Sequence, residues 1–320
     1  MSRPKKTPQQ ELRAKPFLKW AGGKTQLIEK LMNLLPSELY TGEVTKYVEP
    51  FVGGGAMFFH IAQSFPYLRE LYISDANPDL ILAYKVIQRD VEKLIVWLSA
   101  LEERYTERTE QAQEEYYYAK RDAFNNNTAS FNFRAYHCDW VYRAAQLIFL
   151  NRTDFNGLYR VNSKGEFNVP FGGYVEPTIC DEVNLREVAR VLQRVKIRCM
   201  DYSASERLIN KEAFVYFDPP YRPLSNTSKF TSYIKSPFND DAQRKLAEYF
   251  KLLDSKEAKL MLCNSDPQNS HPSDNFFEDL YRGYRIEKVD ATRRINSAKN
   301  GRGKIKELVI TNYCPASPTC

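Results

Sequence analysis

The chain predicts an α/β fold, a mostly parallel sheet interrupted by a mainly helical insertion. Three observations carry this. Between Tyr47 and Asp75 a strand, a glycine-rich turn, a helix and a second strand follow one another, the unit from which nucleotide-binding sheets are built. From Pro78 onward the apolar residues recur at helical spacing, with Leu80, Tyr84, Ile87, Val91, Leu94 and Leu98 on one face. After about residue 184 short apolar runs resume in alternation with helical stretches.

The elements follow in order. Phe17 to Lys24 leads into an amphipathic helix whose apolar face is Leu27, Ile28, Leu31, Leu34 and Leu35. Tyr47–Val48 is a short strand, Val52–Gly55 a turn, and a helix starts at Ala56. Leu71–Ser74 is a strand ending at Asp75. Pro78 to Arg121 is helical and charged, and a further helix covers Tyr136–Leu150. Leu158–Val161 and Glu166–Val169, joined by Asn162–Gly165, predict a β-hairpin. A helix near Asn184–Arg194 precedes strands at Val195–Met200, Ala213–Phe217 and Ala258–Cys263, with a helix over Asp240–Leu253. Arg285–Val289 and Glu307–Tyr313 are the last strands. This divides the chain into a basic tail (1–15), a discontinuous catalytic part (16–80 and 185–320) and a recognition insertion (81–184).

Composition narrows the classes. The 320 residues are 43% hydrophobic and 27% charged, as in an ordinary globular protein large enough to bury a core unaided. No run approaches the ~20 apolar residues of a membrane span, and the polar, basic start has no apolar signal core. A cytoplasmic protein is expected. The six cysteines have no paired spacing with the three histidines, so no metal site is expected. Lys and Arg exceed Asp and Glu by 46 to 40. Between Ala291 and Lys306 there are six basic residues and no acidic one, a distribution compatible with a polyanionic partner or with a solvated surface.

Three motifs carry chemistry. Glu49-Pro50-Phe51-Val52-Gly53-Gly54-Gly55 puts glycines between a strand end and a helix, where a ligand can approach backbone that a Cβ would block. Asp75, twenty residues after Gly55 at the end of the next strand, stands where a carboxylate accepts ribose hydroxyls; a helix cap is the alternative. Phe214-Val215-Tyr216-Phe217-Asp218-Pro219-Pro220-Tyr221 delivers a carboxylate, two prolines without N–H groups and an aromatic ring to the carboxyl edge of the sheet. Asp218 and the Pro219 carbonyl can both accept from one amino group while Tyr221 stacks, which suits the exocyclic amine of a nucleobase. Phe17-Leu18-Lys19-Trp20-Ala21-Gly22-Gly23-Lys24 offers an anion-accepting turn but lacks the P-loop spacing, so nucleotide hydrolysis is disfavoured.

With KWAGGK, EPFVGGG, a long insertion and DPPY in this order, and with NGLYRVN, GEFNVPFG, DPPYRPLS, FTSY and ELVITNY besides, the chain from Phe17 to Tyr313 resembles the Dam-type, α-group DNA adenine-N6 methyltransferases. The resemblance implies a Rossmann-like fold with a mixed seven-stranded sheet. It also implies S-adenosylmethionine as methyl donor, adenine in duplex DNA as acceptor, and GATC as preferred site. Carried over by residue, Trp20, Lys24, Glu49, Phe51, Gly53 and Gly55 surround the methionine and sulfonium part of the donor. Asp75 holds its ribose, and Asp201, followed by Tyr202, its adenine. Asp218, Pro219, Pro220 and Tyr221 hold a flipped target base.

For recognition, Arg160 reads guanine, Leu158 and Pro170 meet the thymine methyl, and Phe155 wedges into the opened stack beside Asn156. Lys19 reaches the edge of the site, and Tyr174 closes the DNA-binding set. Gly173 is a departure, because many relatives carry Arg there. The expected protein is a monomer, with two copies able to share one DNA site, and a restriction endonuclease is its expected functional counterpart. Four rivals remain: an N6-adenine methyltransferase with a different DNA site, a related methyltransferase with an RNA or protein acceptor, a catalytically silent DNA-binding protein, and a nicotinamide dehydrogenase. The last would need a dinucleotide fingerprint that is missing here.

Overall fold

Short apolar runs bounded by turns become strands β1 (Lys46–Glu49), β2 (Glu70–Asp75), β3 (Val195–Cys199), β4 (Ala213–Phe217), β5 (Lys259–Ser265), β6 (Arg285–Thr292) and β7 (Lys304–Thr311). The computed structural model describes residues 14–20, 24, 26–126, 128, 130–222, 238–292 and 304–315. The expected tail up to residue 13, Gly22 and Gly23 of the Phe17–Lys24 motif, the Phe230–Tyr233 segment and most of the basic stretch lie outside the described residues.

The described strands form one seven-stranded sheet in the order β3-β2-β1-β4-β5-β7-β6. The pairs β1–β2, β2–β3, β1–β4 and β4–β5 are parallel, whereas β7 runs antiparallel to both β5 and β6. The mixed seven-stranded sheet expected from the resemblance is therefore present. The chain leaves β1 toward β2 and β3, then returns to β4 on the other side of β1. That reversal is a topological switch point, and the loops after β1 and β4 diverge there into a crevice at the carboxyl edge.

Alternation along the central strands splits the core between two faces. Phe214, Tyr216, Met261, Cys263 and Val309 bury on one face; Val215, Phe217, Leu260, Leu262, Leu308 and Ile310 bury on the other. Each such side chain contributes about 1.5–3 kcal/mol of transfer free energy. The second face is covered by α8 (Asp240–Asp254), through Leu246, Phe250 and Leu253. The first face is continuous with α1 (Ile28–Met32), α2 (Ser37–Thr41) and α3 (Ala56–Ser64), with the helical insertion, α4 (Pro78–Thr106), α5 (Glu110–Asn126) and α6 (Asp139–Thr153), and with α7 (Glu182–Leu192).

The start of α4 is set locally. Asn77 caps it by accepting from the Asp79 and Leu80 N–H groups, and Pro78 occupies the first turn. Helix α6 is buried nearly all round, as a helix enclosed by others must be. At its centre Arg143 donates Nε to Asp79 Oδ1 at 2.5 Å and Nη2 to Asp79 Oδ2 at 3.1 Å, tying α6 to α4 with both partners buried.

Some predicted elements differ. The helix expected through Leu35 breaks into two short pieces, Ile28–Met32 and Ser37–Thr41, because Pro36 disfavours helix in the residue before it. The long helix splits between Thr106 and Glu110 and departs from helical geometry at Asp90. The hairpin is reduced to a Val161–Phe167 bridge with Asn168 N donating to Arg160 O at 3.0 Å. Side chains do the remaining work: Asn125 of α5 pairs with both the N–H and C=O of Phe167 at 2.8 and 3.0 Å, and Tyr117 Oη donates to Val169 O at 2.8 Å. Among the described residues no helix is long and apolar enough to cross a membrane.

Candidate active site at the carboxyl edge of the sheet

Strand β4 is buried throughout and ends at Phe217, so Asp218 emerges at the switch point with its neighbours fixed by two prolines. Gln243 of α8, fully buried, donates to the Pro220 carbonyl at 3.2 Å. The Pro219 carbonyl has no donor among the described residues. Next in the chain, Arg222 is clamped by both oxygens of Asp240 at 2.7 and 2.9 Å and by Asp274 at 2.6 Å, with its guanidinium 4.1 Å from the Phe276 ring centroid. The loop is thus held from both ends.

Lys24 reaches this loop from the amino end of the chain. Its Nζ, buried, donates to Asp218 Oδ1 at 2.7 Å and to Tyr221 Oη at 2.8 Å, and lies 3.4 Å from Glu307 Oε2. Tyr221 Oη in turn donates to Glu307 Oε1 at 2.7 Å. Burial pushes the Asp218 carboxyl up, opposed by the Lys24 charge, to about 6. Burial works against the Lys24 charge, but Asp218, Tyr221 and Glu307 together raise its pKa above the usual lysine value. The Asp218 carboxyl therefore gives up its proton to pair with the Lys24 ammonium as pH rises through about 6.

The glycine turn lies beside it. Gly53 and Gly55 adopt positive φ, +47° and +75°. A Cβ on Gly53 would stand 2.8 Å from the Trp20 ring, and one on Gly55 2.5 Å from Tyr84 Oη. Tyr84 Oη donates to Gly53 O at 3.0 Å, and the Trp20 ring stacks on Tyr159 at 5.4 Å. Asp75 accepts from Gly53 N at 3.1 Å and Asn77 N at 2.9 Å, and burial raises its pKa to about 6. The helix cap expected as the alternative at Asp75 falls instead to Asn77, two residues on, and the Asp75 carboxylate serves the backbone N–H groups of Gly53 and Asn77. Glu49 is buried and accepts from Tyr47 Oη at 2.6 Å; burial raises its pKa. Phe51 and Tyr202 stack at 5.2 Å. Asp201 is exposed, and its Oδ1 takes Ser203 N and Oγ at 3.0 and 2.6 Å; its Oδ2 has no partner among the described residues.

The recognition candidates gather in a second place. Asn151, buried at the end of α6, bonds the Lys19 N–H and C=O at 2.8 and 2.9 Å and donates to Gly157 O at 3.1 Å. This staples residues 17–20 to the Asp154–Leu158 loop. Two successive left-handed residues, Asn156 and Gly157 (φ 63° and 62°), turn that loop tightly. Phe155 is 51% exposed, which removes the plain core reading of its ring, and its N–H donates to Pro170 O at 2.9 Å. Lys19 Nζ sits 4.6 Å from the Tyr174 ring centroid, and Tyr174 Oη accepts from Asn156 N at 3.1 Å. Leu158 is half-buried and Pro170 exposed. Arg160 stands apart on the hairpin, spending Nε and Nη2 on Asn168 at 2.7 and 3.0 Å.

Sequence reasoning missed Gln243, Asn151, Arg222 and Glu307. Arg222 was signalled by its place directly after the DPPY run, and Asn151 by opening the Asn- and Gly-rich segment. Gln243 and Glu307 had no local signal. A parallel sheet extended by an antiparallel β7, with acidic, aromatic and glycine groups at its switch point, defines a Rossmann-like methyltransferase. Residues 20–295 match the family described as D12 class N6 adenine-specific DNA methyltransferase, and the chain belongs to that family. It is 49% identical over 303 residues to the type II methyltransferase M.MjaIII of Methanocaldococcus jannaschii, covering 94% of this chain and all of the relative. It is 37% identical to the type II methyltransferase M1.LlaDCHI of Lactococcus lactis subsp. cremoris, covering 95% and 97%. It is 34% identical to the DNA adenine methylase of Haemophilus influenzae, covering 97% and 98%. The protein is therefore an adenine-specific DNA methyltransferase. S-adenosylmethionine is the family's methyl donor, and the edge residues fit it: carboxylate acceptors at Asp75 and Asp201, the Phe51–Tyr202 ring pair, and glycine backbone at Gly53–Gly55.

Proposed function

We propose that this enzyme methylates adenine N6 within GATC in duplex DNA, on a base flipped out of the helix. One observation supports the pocket above others. A primary amine, Lys24 Nζ, is already seated on Asp218 at 2.7 Å beside the ring of Tyr221, so the pocket accepts an amino group in the way the adenine amine requires. Asp218 and the Pro219 carbonyl, which no described residue claims, take the two N6–H bonds, which turns the nitrogen lone pair out of conjugation. Tyr221 stacks on the extruded base and offsets part of the few kcal/mol of unstacking. The donor supplies an activated sulfonium methyl. Trp20, Lys24, Glu49, Phe51, Gly53 and Gly55 bind its amino-acid end, Asp75 its ribose, and Asp201 with Tyr202 its adenine. Methyl transfer would leave N6 with one proton too many, and Asp218, the carboxylate already accepting from it, would take that proton up. Orientation of the lone pair is the main source of rate.

In the same reading residues 81–184 recognise DNA while 16–80 and 185–320 bind donor and base. Phe155, exposed on a rigid left-handed turn, fills the stack vacated by the base, with Asn156 beside it. Arg160 reads guanine by exchanging its Asn168 contacts for base acceptors. Leu158 and Pro170 meet the thymine methyl, and Lys19 with Tyr174 lines the edge of the site. The names of the M.MjaIII and M1.LlaDCHI relatives favour a restriction endonuclease as counterpart. Transfer of labelled methyl to duplexes containing GATC or GTTC tests the site. Labelling only of GATC is expected; equal labelling removes the site and the role of Arg160. Asp218→Ala is expected to keep donor binding and lose transfer.

A further inference from the structure

Glu307 was not anticipated and is not explained by holding the sheet. It lies on β7 opposite Ser265, the last residue of β5. The antiparallel direction of β7 is what brings it to the carboxyl edge. Its carboxylate is 7% exposed as a residue. Oε1 accepts from Tyr221 Oη at 2.7 Å, yet Oε2 is buried and has no hydrogen bond among the described residues, 3.4 Å from Lys24 Nζ. A buried carboxylate oxygen left unsatisfied is costly. Asp218 and Glu307 are two carboxylates served by the single Lys24 ammonium, which sits closer to Asp218.

We propose that Glu307 is a positioning residue that takes Lys24 from Asp218 when the target adenine enters. The inference rests on the reading of the Asp218–Tyr221 pocket given above. With the pocket empty, Lys24 stands in for the adenine amine. When the base arrives, its amino group needs the Asp218 oxygen that Lys24 holds. A shift of roughly 0.6 Å brings Lys24 to charge-assisted hydrogen-bond distance of Glu307 Oε2. The cation keeps a counter-ion throughout, and Asp218 is released to the substrate. Glu307 Oε1 meanwhile fixes the Tyr221 hydroxyl and with it the plane of the stacking ring.

The test uses Glu307→Gln, which keeps the size of the side chain and removes the charge. It compares duplexes carrying adenine or unsubstituted purine, which lacks the amino group, at the target position. Single-turnover methyl transfer is expected to fall about 10- to 100-fold, the loss of one charged hydrogen bond. Donor affinity is expected to stay within about twofold. The preference in binding for adenine over purine is expected to vanish, because Asp218 stays committed to Lys24. In the Lys24→Met/Glu307→Gln double variant, in alkaline buffer, that preference is expected to return, since no cation then needs a second seat. A merely structural Glu307 would change neither preference. An unchanged transfer rate or a retained preference in Glu307→Gln, with Asp218→Ala inactive, overturns this role and leaves the pocket reading standing. An active Asp218→Ala removes both.

Discussion

Gly55→Ala isolates what the glycine turn contributes. Gly55 has φ +75°, a region that costs an L-residue roughly 1–2 kcal/mol. The new Cβ would also stand 2.5 Å from Tyr84 Oη, the donor to the Gly53 carbonyl. Tyr84 is fully buried in the first face of the core and packs against Phe59 and Phe17. It cannot swing aside, so the hydroxyl bond is lost and a carbonyl is left without its partner, about 1–2 kcal/mol more. The sum is about 2–4 kcal/mol, or a fall of about 3–6 °C in Tm for a chain of this size. Gly42 is the control: its φ is +82°, but nothing lies within 4 Å of a Cβ there. Gly42→Ala therefore carries only the backbone cost. Urea and thermal unfolding of both variants, with titration of S-adenosylmethionine, check the argument. Equal destabilisation of the two variants would refute the claim that Tyr84 locks the turn.

Three further outcomes are expected. Arg143→Met leaves Asp79 buried without its partner and costs about 3–5 kcal/mol by denaturant unfolding, most of which the Asp79→Leu/Arg143→Met pair recovers; a single variant as stable as wild type would sink this. Burial raises the Asp154 pKa to about 9, only partly opposed by the Leu158 and Gly157 N–H groups and Lys19. The native state therefore holds a proton that the unfolded chain, with an ordinary carboxyl, gives up near pH 4. Asp154 makes stability fall as pH rises from about 4 toward 9, and Asp154→Asn should flatten that part of the stability profile. The methyl-transfer rate should fall as pH drops through about 6, where Asp218 takes up a proton and stops accepting from N6. A rate constant to well below that pH in single-turnover assays would exclude the carboxylate form as the working one.

The strand ending in Asp218 was legible because a fully buried strand writes a continuous apolar run and DPPY marks where it stops. The turn after β1 was legible for the same reason, with glycines in place of prolines. Exposure at Phe155 was not, since an aromatic residue in a segment this rich in aromatics looks equally suited to a core. Helix ends missed where a single residue decided them, as at Pro36. Glu307 and Gln243 were hidden for a different reason: each owes its place to long-range pairing or packing. A glutamate in an apolar strand carries no mark of the loop it will meet across the sheet. The Lys24–Asp218 pair spans nearly two hundred residues of sequence, and local spacing carries no information at that range.

The apolar face that runs unbroken from β2 through α4 to α6 makes the insertion part of the foundation. Leu71 and Ile73 of the sheet and Leu147 and Ile148 of the insertion belong to one buried cluster. Chain segments that share a core in this way unfold together. The insertion of residues 81–184, proposed above to recognise DNA, is then no detachable module that another sequence of equal length replaces. On that proposal a change of target is made in place, on the exposed side chains between Phe155 and Tyr174, while the scaffold beneath them stays fixed.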